Sequence, residues 1–135
     1  SVATEENIAR VVACAEPLAH GESEFALAGL TPVPGTAVRA PRPAESPVTF
    51  ECRTMQVVRM APGTEGASNL LIGRVVRVHV ADAVLNERGR IDAGRLAAVG
   101  RMGGQDYCTT RERAGIPSGR EALAHAIDWR RDDGR

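Results

Sequence analysis

The chain has 135 residues, a length that suits one domain with a single core. Hydrophobic residues make up 43% and charged residues 25%, a globular composition that argues against a disordered protein. The 17 basic and 17 acidic residues cancel, so no excess positive charge is present to hold nucleic acid or an anionic membrane.

The N-terminal residues predict a helix. Thr4 is a suitable cap, and Glu5 and Glu6 favour the positive end of a helix dipole. Apolar residues then recur at helical spacing from Ile8, and Pro17 is expected to stop the helix. Residues 18–47 hold most of the prolines and read as an ordered connection, with at most one short strand over Thr36–Ala40.

Two β-rich segments follow, and they predict an antiparallel hairpin. Pro47–Met60 and Asn69–Val80 alternate apolar and polar residues, and a polar turn rich in glycine separates them. Gly73 interrupts the second strand and suggests a bulge or a close backbone contact. The alternation predicts that four side chains of the hairpin face the core: Phe50, Cys52, Ile72 and Val76.

The last third of the chain predicts two helices around a loop. Asp92 caps a short helix that ends at Gly100, with Ile91 and Leu96 as a hydrophobic staple. A glycine-rich loop follows over 102–107. Ser118 and Glu121 form a capping box that opens an amphipathic helix to Trp129, and 130–135 reads as a frayed tail.

The three cysteines are widely spaced and odd in number. They form no metal-ligand pattern, so we expect no metal site and three buried, reduced thiols. With no apparent secretory signal and no apolar run long enough to span a bilayer, this cysteine usage predicts a cytoplasmic protein with no membrane partner.

Single residues leave several interpretations open. His79 can act as an acid, a base or a phosphate partner, or can simply be a solvated residue on a strand. Arg74, Arg77 and Arg101 can bind a phosphate bidentately or be solvated. The pair Gly103–Gly104 can bring backbone amides to an anion or form a tight turn.

The order and spacing of several short segments indicate a protein family more specifically than any single segment does. They are FALAGLT (25–31), RPAESPV (42–48), FEC (50–52), NLLIGRVV (69–76), VHV (78–80) and RMGGQDY (101–107). In this order and spacing the chain resembles the flavin reductase-like, FMN-binding split-barrel family, from its first residues to about Tyr107.

The resemblance implies an α+β fold, mainly antiparallel β: a split β-barrel with short helices, here without the first strands. It implies residues 1–110 as the C-terminal part of that domain and 111–135 as a C-terminal extension with a helix. It also implies FMN as cofactor, NADH or NADPH as electron donor, and a small-molecule substrate. Family members are typically homodimers, so the expected partner is a second copy or a missing N-terminal segment.

The candidate cofactor-binding residues come from the resemblance. Gly103, Gly104 and Tyr107 fall in the family's closing loop, Arg101 is a candidate phosphate or substrate contact, and Phe25 lies in a loop near the site mouth. Ser68 stands where some family reductases carry a histidine next to the nicotinamide. No catalytic acid or base is identified.

Two functions follow as hypotheses. The first is an FMN-dependent oxidoreductase, such as an NAD(P)H-dependent flavin reductase. The second is a non-catalytic flavin-binding subunit that completes the barrel of another chain. The segment that supplies most FMN phosphate contacts in the family precedes the part matched here. We therefore expect weak or no FMN binding by these residues alone.

Overall fold

A computed structural model describes residues 1–131. The chain is mainly antiparallel β with short helices, as the sequence predicted. The helices are α1 (Ile8–Ala13), α2 (Glu24–Ala28), α3 (Ala93–Leu96) and α4 (Glu121–Ala124), with a 3-10 turn at Asp82–Val84. The strands are β1 (Pro32–Val33), β2 (Arg42–Pro43), β3 (Val48–Met60), β4 (Ser68–Val80), β5 (Val99–Gly103), β6 (Asp106–Thr109), β7 (Glu112–Arg113) and β8 (Arg130–Arg131).

The long hairpin β3–β4 dominates the fold and confirms the predicted antiparallel pairing. Val48 pairs with Val80 at its base, and Met60 pairs with Ser68 at its tip. The register shifts twice, between Glu51 and Cys52 and between Thr54 and Gln56. Gly73 pairs with Thr54 beside the second shift, where a Cβ on Gly73 would lie 3.2 Å from the Cβ of Cys52. Gly73 thus provides the expected close approach.

The register shifts give the hairpin two chemically different faces. Residues that pair directly point to the same side of a sheet. Cys52 pairs with Val75, and Phe50 pairs with Val78, so one face is apolar. On the other face lie the pairs Thr49–His79, Glu51–Arg77 and Arg53–Arg74. Val75 and His79 therefore lie on opposite faces of the hairpin.

The base of the hairpin is the best-packed part of the structure. Val48 is 1% exposed, and its carbonyl oxygen accepts hydrogen bonds from the Val2 amide and the Ser46 hydroxyl, each at 2.9 Å. The N-terminal residues continue from there to β5, because the Val99 amide donates to the Ala3 carbonyl and Thr4 bridges to Ala98. The N-terminal segment therefore joins the two main hairpins.

The core-facing positions predicted for the hairpin are wrong for this chain. Phe50 is 45% exposed, and Cys52, Ile72 and Val76 are exposed as well. Among residues 1–131, Val48 and Val84 are the apolar side chains that are buried. The apolar face carries Val75 and Val78 in place of the predicted Val76 and Ile72, because Val76 is unpaired at one register shift and Ile72 lies on the other face. No element of the described chain covers this apolar face. The prediction of a buried Cys52 thiol fails for the same reason, and Cys108 is also exposed.

The helices are shorter than the sequence patterns predicted. The first begins at Ile8, because Asn7 rather than the Thr4 hydroxyl lies at its start, and it ends at Ala13. Asp92 caps α3 as predicted by accepting from the Arg95 amide, but this helix ends at Leu96. Its C-cap residue, Ala97, has a φ of 45°. This left-handed conformation ends the helix before Gly100.

The C-terminal helix is the largest error among the predicted elements. It spans Glu121–Ala124 instead of 118–129, and its first residues carry no side-chain cap. Arg130 and Arg131 pair with β7 instead of fraying. The remainder of the predicted tail, residues 132–135, lies outside the described residues. The proposed domain boundary at residue 110 stays a prediction.

Candidate functional site

The predicted glycine-rich loop is a hairpin in the structure, with Arg101 and Tyr107 paired across β5 and β6. The Arg101 guanidinium lies 5.6 Å from the centre of the Tyr107 ring and donates to the Tyr107 hydroxyl at 3.2 Å. It also donates to the Gly104 carbonyl at 2.7 Å. The turn needs glycine, because Gly103 and Gly104 have φ values of 143° and 53°. Four predicted site residues therefore form one cluster.

An apolar cleft of about 510 Å³ opens beside this cluster. Ile8, Ala9 and Val12 of α1 form one wall, and Val99 and Tyr107 belong to the other. The volume lies within the range of about 300–1,000 Å³ that is usual for small-molecule sites. Phe25 is half-buried in α2 and is not among the described residues that line this cleft. The structure therefore does not place Phe25 with the other four candidates.

Glu5 also lines the cleft, and the sequence analysis did not select it for a site. The Arg111 guanidinium donates to its Oε2 at 2.6 Å. Its Oε1 is buried and has no hydrogen-bond partner among residues 1–131. This buried oxygen has almost no accessible surface, so a ligand in the cleft can reach it only if the Glu5 side chain moves. The sequence cannot reveal an unpaired buried oxygen, because its burial and its hydrogen bonds depend on three-dimensional packing.

A second polar cluster surrounds Glu51, which is 3% exposed. Its carboxylate accepts from the amides of Thr36, Ala37 and Val38 at 2.6–2.9 Å, and from the Thr36 hydroxyl. His79 Nε2 lies 2.5 Å from Oε1. A carboxylate can only accept, so Nε2 is the nitrogen that carries the proton in this pair.

These contacts explain one wrong prediction and bear on one alternative that the sequence left open. The predicted strand at Thr36–Ala40 does not form, because three of its amides turn toward Glu51 instead of a neighbouring strand. His79 is not a freely solvated residue, since it is paired with Glu51. The hydrogen bonds from Thr36, followed by that from His79, hold the pKa of the Glu51 carboxyl far below its usual value.

The other predicted positions lie apart from a common site. Ser68 begins β4 at the exposed end of the long hairpin. Within residues 1–131, no three potential metal ligands come together, and no helix is long and apolar enough to cross a membrane.

The flavin reductase-like domain model matches residues 1–96 of the chain. A relative from Halalkalibacterium halodurans, an uncharacterized protein, is 40% identical over 107 residues, which are 78% of this chain and 51% of the relative. An uncharacterized protein of Aquifex aeolicus is 28% identical over 107 residues, 79% of this chain and 52% of the relative. The chain thus spans about half the length of these relatives.

Solved structures extend the likeness to three dimensions. Nitrilotriacetate monooxygenase component B from Bacillus cereus is 34% identical, with a TM-score of 0.76 over 85% of this chain and 57% of that chain. A protein with a split barrel domain from Shewanella frigidimarina NCIMB 400 is 24% identical, with a TM-score of 0.74 over 87% of this chain and 58% of that chain. Flavoredoxin of Desulfovibrio vulgaris (Miyazaki F) is 22% identical, with a TM-score of 0.67 over 93% and 63% of the two chains. The fold is therefore that of split-barrel proteins.

Proposed function

Because the chain belongs to the flavin reductase-like domain family, we propose that it is part of an FMN-binding oxidoreductase that takes electrons from NADH or NADPH. The observation that carries the proposal is the family match over residues 1–96. The similarity to nitrilotriacetate monooxygenase component B, at 34% identity, supports the same class of protein. Flavin reduction, or the use of bound flavin on a small substrate, is the activity proposed for the whole protein.

The cleft beside β5 and β6 has the chemistry that a flavin needs. Its apolar walls and the Tyr107 ring suit a planar aromatic group, and the exposed Arg101 guanidinium has further N–H groups for a phosphate. Glu5 lines the same cleft. Gly103 and Gly104 keep the adjoining turn free of side chains. We assign these residues to the flavin pocket, and Phe25 to its mouth on the family resemblance alone.

FMN, when bound, supplies the hydride-accepting ring of the reaction. The chain's own residues bind and orient that ring and exclude water from one of its faces. The apolar wall from α1 performs the last task, through Ile8 and Val12. Ser68 carries no imidazole, so this proposal gives the position no part in orienting the nicotinamide.

The uncovered apolar face of the long hairpin indicates where another polypeptide can bind. Phe50, Val75 and Val78 are each close to half exposed, and within residues 1–131 the strands β3 and β4 form a two-stranded sheet. Unpaired strand edges and a large apolar surface favour association with another polypeptide segment. We propose that a second copy of the chain, or a further segment of the protein, covers this face.

The test uses the complete protein, with this chain measured beside it, and two measurements. FMN titration, followed by quenching of flavin fluorescence, reports binding, and oxidation of NADH or NADPH in the presence of FMN reports activity. Arg101→Gln and Tyr107→Leu are expected to weaken FMN binding by about tenfold or more through lost charged and aromatic contacts. Arg59→Gln, at the far end of the hairpin, is the matched control.

Each result has a definite meaning. Binding with turnover supports the oxidoreductase, whereas binding without turnover supports the non-catalytic subunit. If FMN binding is absent in the complete protein as well as in this chain, the proposal is wrong. If binding persists unchanged in both variants, the site assignment is wrong and FMN binds elsewhere.

A further inference from the structure

The polar face of the long hairpin carries an unusual arrangement of three arginines. Arg53 and Arg74 are directly opposite each other in the β3–β4 register, and Arg77 lies two pairs further along, in the next pair on the same face. All three are exposed, and in residues 1–131 no carboxylate forms an ion pair with any of them. Like charges placed directly opposite each other destabilise a sheet. The arrangement therefore has a folding cost, and folding alone does not explain it.

The register shift near Val75 creates this cluster. In a regular strand, residues 74 and 77 would point to opposite faces, because side chains alternate. The shift between the pairs Glu51–Arg77 and Cys52–Val75 places Arg74 and Arg77 on the same face. A bulge that redirects a side chain in this way is often found next to a functional site.

The neighbouring carboxylate does not satisfy these arginines. Glu51 is directly opposite Arg77, yet its oxygens accept from three backbone amides, one hydroxyl and His79. Arg53 makes one hydrogen bond, to the Ala37 carbonyl at 3.3 Å. Most guanidinium N–H groups of the cluster therefore stay free for an external acceptor.

A depression on the surface of the hairpin provides space for that acceptor. Arg53 and Arg74 line a depression of about 380 Å³ together with Thr54, Met55 and Val76. Met55 is 59% exposed and Val76 is 38% exposed, so an apolar surface lies beside the two guanidiniums. Planar guanidiniums bind phosphate bidentately and also stack on flat rings. This combination suits an anion attached to an aromatic body.

We propose that Arg53, Arg74 and Arg77 form a binding site for the phosphate monoester of a mononucleotide, separate from the cleft beside Tyr107. The phosphate contacts Arg53 and Arg74, and the base or ring rests on Met55 and Val76. Arg77 adds positive charge to the site. Nothing in this assignment depends on flavin chemistry in the other cleft.

The test compares ligands that differ only in the phosphate. Chemical-shift perturbation and calorimetry are recorded with 5′-AMP, adenosine, FMN, riboflavin and inorganic phosphate. We expect a phosphorylated nucleotide to bind at least tenfold more tightly than its dephosphorylated counterpart and than inorganic phosphate. The adenine and flavin arms show which nucleotide supplies the phosphate.

Variants locate the site. Arg53→Gln and Arg74→Gln should each weaken that binding about tenfold, while Arg59→Gln, also on β3, leaves it unchanged. Both variants relieve the opposed charges and should melt no lower than the parent chain, so weaker binding cannot result from unfolding. Equal affinity for phosphorylated and dephosphorylated ligands would overturn the proposal. So would inorganic phosphate binding as tightly as the nucleotides, or a loss seen only in Arg101→Gln.

Discussion

The base of the long hairpin offers the sharpest test of how this chain is held together, through the substitution Val48→Ala. Val48 is 1% exposed, and the substitution removes the equivalent of two methylene groups from this buried position. At about 0.8 kcal/mol for each group, the lost burial costs about 1.6 kcal/mol. A cavity that does not collapse adds about 1 kcal/mol, so the unfolding free energy should fall by about 2–3 kcal/mol. For a chain of this size, Tm should fall by about 10 °C.

Urea unfolding, followed by circular dichroism, measures this change. Val57→Ala on the same strand is the matched control, because Val57 is 49% exposed and the substitution has the same chemistry. It should cost under about 1 kcal/mol. If the two variants lose equal stability, then Val48 is not the centre of the packing. A loss below about 0.5 kcal/mol for Val48→Ala would refute the reasoning outright.

Three further predictions concern charge, thiol access and association. Glu51→Gln should lower Tm at pH 7. The lowered pKa of Glu51 means that the ionised carboxylate stabilises the fold fully above pH 4.5 and loses this effect as pH falls toward the folded-state pKa. The Tm of the variant should therefore change less with pH on the acid side than that of the parent chain. An unchanged dependence of Tm on pH would contradict this. In the dilute chain Cys52 should react rapidly with a thiol reagent, as judged against Cys52→Ser, and labelling should slow as rising concentration covers the apolar face; labelling that stays rapid at every concentration would mean that this face remains open. Light scattering should show a mass above that of the monomer that rises with concentration, and a stable monomer with tight stoichiometric FMN binding would disprove this.

Sequence patterns predicted the features that depend on local periodicity. Alternation between residues 48 and 80 gave the hairpin almost to its boundaries, and the Asp92 cap was correct because capping depends on residues three positions apart. The resemblance to the flavin reductase-like family was confirmed by the family match. Four of the five candidate cofactor residues came together at one hairpin, although their role stays a prediction.

Features that depend on distant contacts could not be predicted in this way. The segment at Thr36–Ala40 has the composition of a strand, but Glu51, fourteen residues from Ala37, takes its amides. The helix expected at 118–129 has a suitable pattern, yet it ends at Ala124, and the residues that follow the expected helix, Arg130 and Arg131, pair with β7. Burial failed most clearly, because alternation along a strand shows neither where a register shift moves residues to the other face nor whether anything covers a face.

The N-terminal segment has a consequence for the order in which the chain folds. Hairpins such as β3–β4 and β5–β6 join residues close in sequence, and hairpins of this kind form within about 1–10 μs. By contrast, Arg111 and Glu5 are 106 residues apart, and the amide of Val2 must find the carbonyl of Val48. Closing such long loops has a large entropic cost, so these contacts should form late. Refolding followed by pulsed hydrogen exchange should therefore protect the hairpin amides first and the amides of Val2 and Val99 last.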